Sequence, residues 1–399
     1  MSTLVLVVNA GSSSLKYSLV DAETGEAAAH GVAERIGDPM GGILTHTGQG
    51  GDAHRREPHL PTHQAALEAV IEAFREHGPQ LDADGLAAVG HRVVHGGERF
   101  SAPAIIDDEL VKEVEALVPL APLHNPGNLQ GIAVARDLFP AVPQVAVFDT
   151  AFHQTMPEHA YTYAVPIELR EQHGIRRYGF HGTSHQFVAH ETARLLCRPI
   201  EDVNVIVLHL GNGASAAAVA GGRSVDTSMG MTPLEGLVMG TRSGDVDPAL
   251  HAHLHRQLGW SMEEIDDCLV RRSGLKGLAG HNDVREVRRK REQGDPRAQL
   301  ALDVYCYRLR KYVGAYYAAL GRVDAIVFTA GVGENAPVVR ELTLSGLERL
   351  GIRVDAEANQ APRSGPARIS AADSEVAVFV VPTNEEWQIA REALAVVSA

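Results

Sequence analysis

The sequence predicts an α/β protein made of two duplicated domains with a cleft between them. Apolar runs of strand length alternate with segments of helical periodicity over most of the chain. The length of 399 residues exceeds the size at which one hydrophobic core keeps growing. A strand–turn–strand pattern near the N-terminus recurs 200 positions later, which indicates duplication. We expect domains at 1–150 and 151–385, with a C-terminal helix at 386–399 that joins the first domain.

The first strand pair consists of a continuous apolar strand at 4–8, a small-residue turn at 10–14 and a second strand at 15–20. Three consecutive serines, exposed amides and Lys16 make the segment 9–16 a suitable cradle for phosphate oxygens. It is not a Walker-type P-loop, because no helix follows its glycine and no glycine precedes a Lys-Ser or Lys-Thr pair. Taken alone, the segment fits a serine-rich hairpin turn equally well.

The recurring pattern begins with the strand 203–210, which leads into the turn 211–215 and the apolar run 216–220. Asn9 then corresponds to His209, and the recurrence favours a phosphate-binding role for both turns. A third glycine turn, at 330–335, follows a strand at 324–329 and precedes a helix at 337–350. The N-terminus of that helix could bind an anion or a sugar.

The remaining elements complete the α/β pattern. Apolar stripes on the amphipathic helices at 64–77, 108–117 and 298–320 are most simply explained as core faces. A strand at 375–381 precedes a helix at 387–397. The stretch 37–59 is rich in Gly, His and polar residues, so we expect a surface loop or an irregular hairpin there.

Two arginines lie in positions suited to binding anions. Arg92 shares one face of a strand at 90–97 with Val94, and a guanidinium beside an apolar surface would suit a short carboxylate. Arg242 lies in the glycine-bounded loop 239–245. A second guanidinium would neutralise the charge that builds up as a phosphoryl group approaches a carboxylate. A surface salt bridge is the alternative for Arg242.

Other polar residues end apolar or aromatic segments, among them Asp149 and His181. Singly, each is more often a satisfied turn residue, but together they would supply an acid and an imidazole to one catalytic cleft. His91 and His95 could instead suggest a metal site. A strand would not aim both side chains at one ion, however, and no Glu completes a zinc pattern.

The pattern Gly-x-Gly-x-x-Ala at 211–216 and 331–336 raises the alternative of a nicotinamide-binding domain. The first copy lacks a following helix, and the second lacks an obvious acidic residue about 20 positions on. A catalytically silent nucleotide-binding protein is a further alternative. The presence of both arginines, His181 and Asp149 counts against it.

The composition restricts the partners and the compartment. A formal net charge of −14 should repel phosphate polymers and anionic membranes, so nucleic acid is not an expected partner. The cysteines, Cys197, Cys268 and Cys306, form neither a disulfide framework nor a zinc pattern. The N-terminus lacks an export signal, and no apolar run approaches the roughly 20 residues of a membrane helix. We therefore expect a soluble protein of a reducing, cytoplasmic compartment.

Five motifs resemble the acetate kinase family in sequence, order and spacing, and together they span nearly the whole chain. They lie at 9–16, 90–97, 147–153, 178–185 and 209–213. The resemblance implies the actin-like, ribonuclease H-like ATPase fold and a cytoplasmic homodimer. It also implies reversible in-line transfer of the γ-phosphoryl group of ATP to acetate, giving acetyl phosphate and ADP. Propionate or another short-chain carboxylate is the alternative acceptor.

The resemblance also implies roles for individual residues. Arg92 and Arg242 hold the carboxylate and the migrating phosphoryl group, while His181 helps to stabilise the in-line transition state. Asp149 is the acidic residue of the site. A small apolar pocket for the alkyl group is lined by Val94, Leu123, Phe180 and Pro233.

By the same resemblance, Asn9 and Glu385 lie at a magnesium ion, for which manganese is the alternative. Because Mg²⁺ prefers water and phosphate oxygens, no dense cluster of protein ligands is expected. The residues expected to contact ATP are Lys16, His209, Leu210, Gly211, Asn212, Gly213, Asp283, Val284, Arg285, Gly331, Val332, Gly333, Glu334 and Asn335.

Overall fold

The computed structural model describes residues 3–48, 50–81 and 85–399. The chain divides into two compact units, one formed by Met1–Phe152 with Asn384–Ala399 and the other by His153–Thr383. The expected boundary assigns Glu385 to the second domain, but Glu385 begins the C-terminal helix and belongs to the first unit. Met1 and Ser2, at the start of the expected first domain, lie outside the described residues. Every helix in the described part of the chain is too short or too polar to cross a membrane.

Two β-sheets and the helices around them make up the described residues. The strands are β1 (Leu4–Ala10), β2 (Ser14–Asp21), β3 (Ala27–Glu34), β4 (Ile43–Thr47), β5 (Ala53–Arg56), β6 (Ala88–Val93), β7 (Ala104–Ile105), β8 (Gln144–Phe148), β9 (Asn204–Leu210), β10 (Ala214–Ala220), β11 (Arg223–Thr227), β12 (Ala325–Thr329), β13 (Ala367–Arg368) and β14 (Ala377–Val380). The α-helices are α1 (His63–His77), α2 (Asp108–Ala116), α3 (Asn125–Leu138), α4 (Glu158–Tyr161), α5 (Ile167–His173), α6 (Gly182–Leu195), α7 (Ala249–Leu258), α8 (Met262–Arg271), α9 (Gly274–Ala279), α10 (Val284–Glu292), α11 (Pro296–Leu320), α12 (Ala330–Asn335), α13 (Pro337–Leu344), α14 (Ala356–Gln360) and α15 (Glu385–Ser398).

The sheet of the first unit has the strand order β5-β4-β3-β2-β1-β6-β8-β7. β1 pairs antiparallel with β2 and parallel with β6, and β6 pairs parallel with β8. Side chains of β1 alternate between two apolar clusters, because Leu6 and Val8 pack with α1 whereas Val5 and Val7 pack with α15. Helices therefore cover both faces, and the carboxyl ends of β1, β6 and β8 meet at one edge.

The sheet of the second unit has the order β11-β10-β9-β12-β14-β13. β9 pairs antiparallel with β10 and parallel with β12, which in turn pairs parallel with β14. The series β3-β2-β1-β6-β8 and β11-β10-β9-β12-β14 thus share one order and one set of directions. This shared order confirms the predicted duplication of the strand pattern.

The two duplicated turns differ in length. Asn9 pairs with Lys16 across β1 and β2, whereas His209 pairs with Ser215 across β9 and β10. The second turn is therefore one residue shorter than the first. The counterpart of Lys16 in the second unit is consequently Ser215, a neutral side chain.

One local expectation is wrong in the structure, and another is confirmed in one of its two forms. Residues Ala330–Asn335 form the short helix α12 and not a glycine turn, because the helix begins directly after β12. Asn335 Nδ2 donates to Gly331 O at 3.0 Å within this helix. The stretch 37–59 contains the antiparallel hairpin of β4 and β5, although Gln49 within it lies outside the described residues.

The buried side chain of His91 should make the first unit sensitive to acid. It is 2% exposed on β6, and its Nε2 lies 2.8 Å from Gln144 Oε1. Because burial disfavours the imidazolium, the pKa of His91 falls from 6.5 to about 4. Between pH 4 and 6.5 the unfolded chain therefore binds more protons than the folded chain. Stability is intact above 6.5 and decreases as the pH falls towards 4, by up to about 3 kcal/mol.

We expect the variant His91→Gln, which keeps an N–H donor for Gln144 but cannot titrate, to lose less free energy of unfolding than the wild type in that window. Urea unfolding followed by the fluorescence of Trp387, in a Trp260→Phe background, reports on the first unit. His59→Gln, at an exposed histidine of the same unit, is the matched control. Parallel pH curves for the wild type and His91→Gln would contradict the prediction.

Candidate active site

Arg92 and Asp149 form an ion pair at the carboxyl edge of the first sheet. Arg92 lies near the end of β6, and Asp149 follows β8, the parallel neighbour of β6. Arg92 Nε donates to Asp149 Oδ1 at 2.9 Å, and Nη2 donates to Oδ2 at 2.6 Å. Asp149 is 2% exposed, whereas the side chain of Arg92 is 20% exposed. The pair fixes the guanidinium in place and leaves its other N–H groups for a further anion.

The backbone beyond β6 is held by a side chain of α3. Because β6 ends at Val93, Val94 lies past the strand and not on the strand face that we expected. Val94 N donates to Asn128 Oδ1 at 3.0 Å, and Asn128 Nδ2 donates to Ala10 O at 2.7 Å. One buried amide thus ties the segment after Arg92 to the turn between β1 and β2.

Asn125 holds the backbone of the next residue, His95, in a similar way. Sequence reasoning assigned no role to Asn125 or Asn128. Asn125 Oδ1 accepts from His95 N at 3.2 Å, and Asn125 Nδ2 donates to His95 O at 3.2 Å. Both asparagines are buried, where an amide must bind its hydrogen-bonding partners. The signal that could have found them is their spacing of three at the start of a helix, next to Pro126.

Glu385 begins α15 and adds a further carboxyl group near this ion pair. It is half-buried, and its pKa rises from 4.5 to about 7, mainly because burial removes the carboxylate from water. The negative charges of Asp149 and Glu386 act in the same direction. The positive charges of Arg92 and Lys16 oppose the rise. Several acidic groups therefore crowd the same edge of the sheet.

Asn9 and Lys16 face each other in the register of β1 and β2. Asn9 is half-buried near the end of β1, and Lys16 is exposed. Burial acts to lower the pKa of Arg92, but the charges of Asp149 and Glu385 raise it above its ordinary value. The structure thus brings Arg92, the two carboxyl groups and Lys16 within electrostatic range of one another in the first unit.

In the second unit, His181 stands at the N-terminus of α6 in a left-handed backbone conformation, with φ of 56°. Residues with a side chain adopt this region rarely, so the surrounding structure must impose it. Gly179 also has a positive φ of 77°, and a Cβ there would lie 2.3 Å from Thr227 Cγ2. The ring of His181 stacks on that of His209, with centroids 4.2 Å apart and an interplanar angle of 20°. Its Nδ1 lies 2.9 Å from Ser215 Oγ.

Arg242 and His181 converge on the turn between β9 and β10. A Cβ at Gly213 would lie 3.5 Å from Arg242 Nη1 and 3.6 Å from His181 Cε1. Arg242 Nη1 also donates to Pro233 O at 3.0 Å. Across residues 3–48, 50–81 and 85–399, no carboxylate pairs with Arg242, and burial lowers the pKa of this guanidinium. The surface salt bridge considered for Arg242 is therefore absent from the described structure.

Two segments predicted to bind ATP adjoin one another. Asn212, in the turn between β9 and β10, accepts through Oδ1 from Asn282 Nδ2 at 3.2 Å. Asp283 follows, where its carboxylate caps α10 and forms an ion pair with Arg285 at 2.6 Å. Val284 packs its side chain into the core, so only its backbone is available to a nucleotide.

The third predicted segment, Gly331 to Asn335, is supported by a fully buried arginine that sequence reasoning missed. Arg340 Nη1 donates to Gly333 O at 2.8 Å and to Glu334 O at 2.9 Å, and Nη2 donates to Asn359 O at 2.7 Å. Burial lowers the pKa of Arg340 to about 10 and raises the pKa of Glu334. Arg340 therefore links the C-terminal end of α12 to α14 and fixes their relative position.

The predicted alkyl-pocket residues fall into both units. In the first unit Val94 is buried, whereas Leu123 is 48% exposed. In the second unit Phe180 is buried, and Pro233 is half-buried beside Arg242. Within the described ranges, no group of three or more His, Cys, Asp or Glu side chains has the arrangement of a metal site.

Comparison with known proteins finds close relatives over nearly the whole chain. The sequence model of the acetokinase family matches residues 4–391. The acetate kinase of Streptomyces griseus is 59% identical over 396 residues, covering 98% of this chain and 96% of its own. The crystal structure of Porphyromonas gingivalis acetate kinase has a TM-score of 0.94 and 44% identity, covering 99% of this chain and 100% of its own. That of a propionate kinase from Francisella tularensis has a TM-score of 0.92 and 42% identity, covering 98% and 99%. These matches confirm the predicted fold class.

Proposed function

Because this chain belongs to the acetokinase family and is thus a kinase with a carboxyl group as phosphoryl acceptor, we propose that it transfers the γ-phosphoryl group of ATP to acetate. The products are acetyl phosphate and ADP, and the transfer is direct, in line and reversible. The observation that carries the proposal is the meeting of Arg242 and His181 at the glycine turn of the second unit. A half-buried guanidinium that pairs with no described carboxylate is suited to a group whose negative charge increases during transfer.

The acceptor needs little chemical activation. A carboxylic acid is ionised at neutral pH, so the acetate oxygen is already a nucleophile and no strong general base is required. Arg92 uses one side of its fork for Asp149, and its remaining N–H groups bind the acetate carboxylate. Catalysis then depends on positioning and on neutralising charge, for which rigid partners such as the Arg92–Asp149 pair are suited.

In the second unit, the nucleotide is held by residues that the resemblance indicates, among them the β9–β10 turn and Gly331–Asn335. The link between Asn212 and Asn282 supports this proposal, because it joins the β9–β10 turn to the segment before α10. The strong support of α12 by Arg340 keeps the amides of Gly331 and its neighbours in a fixed position. The side chain of Val284 takes no part, since it is buried in the core.

We propose Mg²⁺ as the divalent ion that accompanies ATP, with Mn²⁺ as the alternative. The first unit fits such an ion, because Glu385 lies within electrostatic range of the carboxyl groups of Asp149 and Glu386, whose mutual repulsion a cation would relieve. The Glu385 carboxylate and the Asn9 side-chain oxygen would hold it, both being the hard oxygen ligands that Mg²⁺ prefers. When bound, the ion neutralises phosphate charge and orients the transferring group.

The proposal extends to a cytoplasmic homodimer that binds neither nucleic acid nor membranes. The net charge of −14 supports the absence of polyanionic partners. The homodimer rests on resemblance, and light scattering after gel filtration tests it. A mass near the 42.7 kDa of one chain would exclude the dimer.

The decisive assay supplies the purified protein with MgATP, a short-chain acid and hydroxylamine, which traps acyl phosphate as a coloured hydroxamate. We expect hydroxamate from acetate, with ADP in equal amount, and a higher kcat/KM for acetate than for propionate. One methylene changes kcat/KM by only about 10- to 200-fold in an apolar pocket, so both acids should be compared side by side. A preference for propionate would favour the activity named for the Francisella tularensis relative. Hydroxamate from no short acid would point to a silent nucleotide-binding protein.

A further inference from the structure

Ser215 is a fully buried serine whose hydroxyl lies between two imidazoles. Its Oγ is 2.9 Å from His181 Nδ1 and 2.7 Å from His185 Nε2. A hydroxyl carries one hydrogen and two acceptor lone pairs, so it can donate to one ring while accepting from the other, or accept from both. His181 Nδ1 is unprotonated if it accepts the hydroxyl hydrogen, and protonated if it donates to the hydroxyl oxygen.

His185 fixes one end of this chain of hydrogen bonds. It is fully buried, and burial together with His153 and His209 holds its pKa well below the ordinary value, so that its imidazole is neutral. A neutral imidazole has one N–H group. His185 Nδ1 is buried and has no hydrogen-bond partner in the described part of the chain. An N–H placed there would be an orphaned donor, which is rarer in native structures than an unpaired acceptor.

We propose that His185 and Ser215 are positioning residues that fix His181 in the tautomer with its hydrogen on Nε2. His185 Nε2–H donates to Ser215 Oγ, and the Ser215 hydroxyl donates to His181 Nδ1. The catalytic consequence of this tautomer rests on the proposed function. An Nε2–H group can donate to a phosphoryl oxygen as negative charge develops, whereas an Nε2 lone pair would repel that oxygen.

A second buried serine of the same unit, Ser224, bonds to a histidine Nδ1 in the same way and provides a control. His153 Nε2 lies 3.0 Å from Phe180 O, a carbonyl that can only accept, so this nitrogen carries the hydrogen. His153 Nδ1 therefore accepts from the Ser224 hydroxyl at 2.8 Å. Ser224→Ala removes one buried serine–histidine hydrogen bond and Ser215→Ala removes two, but only Ser215→Ala acts on His181.

The test is ¹⁵N NMR of the histidine rings in the full chain, with the His181 signals identified by their loss in His181→Gln. In the wild type, His181 should show a protonated Nε2 and an unprotonated Nδ1. In Ser215→Ala we expect a mixture of both tautomers, while Ser224→Ala should leave the His181 signals unchanged. A wild-type His181 with its hydrogen on Nδ1, or an unchanged tautomer in Ser215→Ala, would overturn the proposal.

Kinetics supply the second readout. Partners that orient metal-ligating histidines are worth about 10- to 100-fold in activity, and by analogy Ser215→Ala should lower kcat by about that factor, with KM for ATP near wild type. His185→Gln, which can still donate an amide N–H to Ser215, should retain more kcat than His185→Leu. Equal losses of kcat in His185→Gln and His185→Leu, at equal melting temperatures, would show that His185 acts only through packing and would contradict its proposed positioning role. A wild type that makes no acyl phosphate but shows the expected tautomer would instead disprove the proposed function alone.

Discussion

Arg242→Ala should lower kcat for acyl phosphate formation by about 10²–10³-fold, because it removes the cation that we propose neutralises the transferring group. The fold should survive. Arg242 donates to Pro233 O and pairs with no carboxylate in the described ranges. Its removal therefore leaves no buried negative charge without a partner. Burial of an unpaired guanidinium is also unfavourable, and its loss should leave the melting temperature close to that of the wild type.

The measurement compares kcat, KM for ATP and melting temperature in the wild type, Arg242→Ala and Arg353→Ala. Arg353 lies in the same unit, but it is exposed and paired with Asp373 at 3.1 Å, so its variant should behave as the wild type. Arg242→Lys keeps the charge but not the planar fork, and we expect an intermediate kcat. Near-normal turnover in Arg242→Ala would refute the charge-neutralisation mechanism.

The fold was predictable because its main signals are local. The apolar runs that became β1, β9 and β12 are read from consecutive residues, and the duplication is visible as a repeated strand and glycine turn. The helix α12 was missed for a physical reason. Its glycines suggest a turn by themselves, but Arg340, in the following helix, holds the carbonyls of Gly333 and Glu334. A tertiary contact there outweighs local propensity.

The candidate site was predictable only where residue type carries the chemistry. Arg92, Arg242 and His181 stand out as charged or titratable groups in glycine-rich or apolar surroundings. The residues that position them do not, because their function lies in contacts between distant parts of the chain. Asn128 joins Val94 to Ala10, and Asn128 and Ala10 are 118 positions apart in the sequence. No local sequence pattern predicts such a bond. Ser215 looks like one more small residue in an alanine-rich strand until its contacts with two histidines are seen.

Arg92→Ala should lower both turnover and the stability of the first unit, and a second change, Asp149→Asn, should restore only the stability. Asp149 is 2% exposed and accepts two hydrogen bonds from Arg92. Removing one partner of a buried ion pair costs about 3–5 kcal/mol, because the other charge is left without compensation. We expect the lower end of this range, about 3 kcal/mol, since the Arg92 side chain keeps 20% of its surface in contact with water.

The double variant separates the two roles of Arg92. With Asn at position 149 no buried charge is left unpaired, so Arg92→Ala/Asp149→Asn should recover most of the lost stability. Stability is measured by urea unfolding, followed by the fluorescence of Trp387 in a Trp260→Phe background. Its kcat should remain about 10²–10³-fold below the wild type, because the hydrogen-bond donor that we propose for acetate is still missing. Arg136→Ala, which breaks an exposed ion pair with Asp108 in the same unit, should change neither quantity measurably. If turnover returned together with stability in the double variant, Arg92 would serve only to neutralise Asp149, and the acetate carboxylate would have to be held by another group.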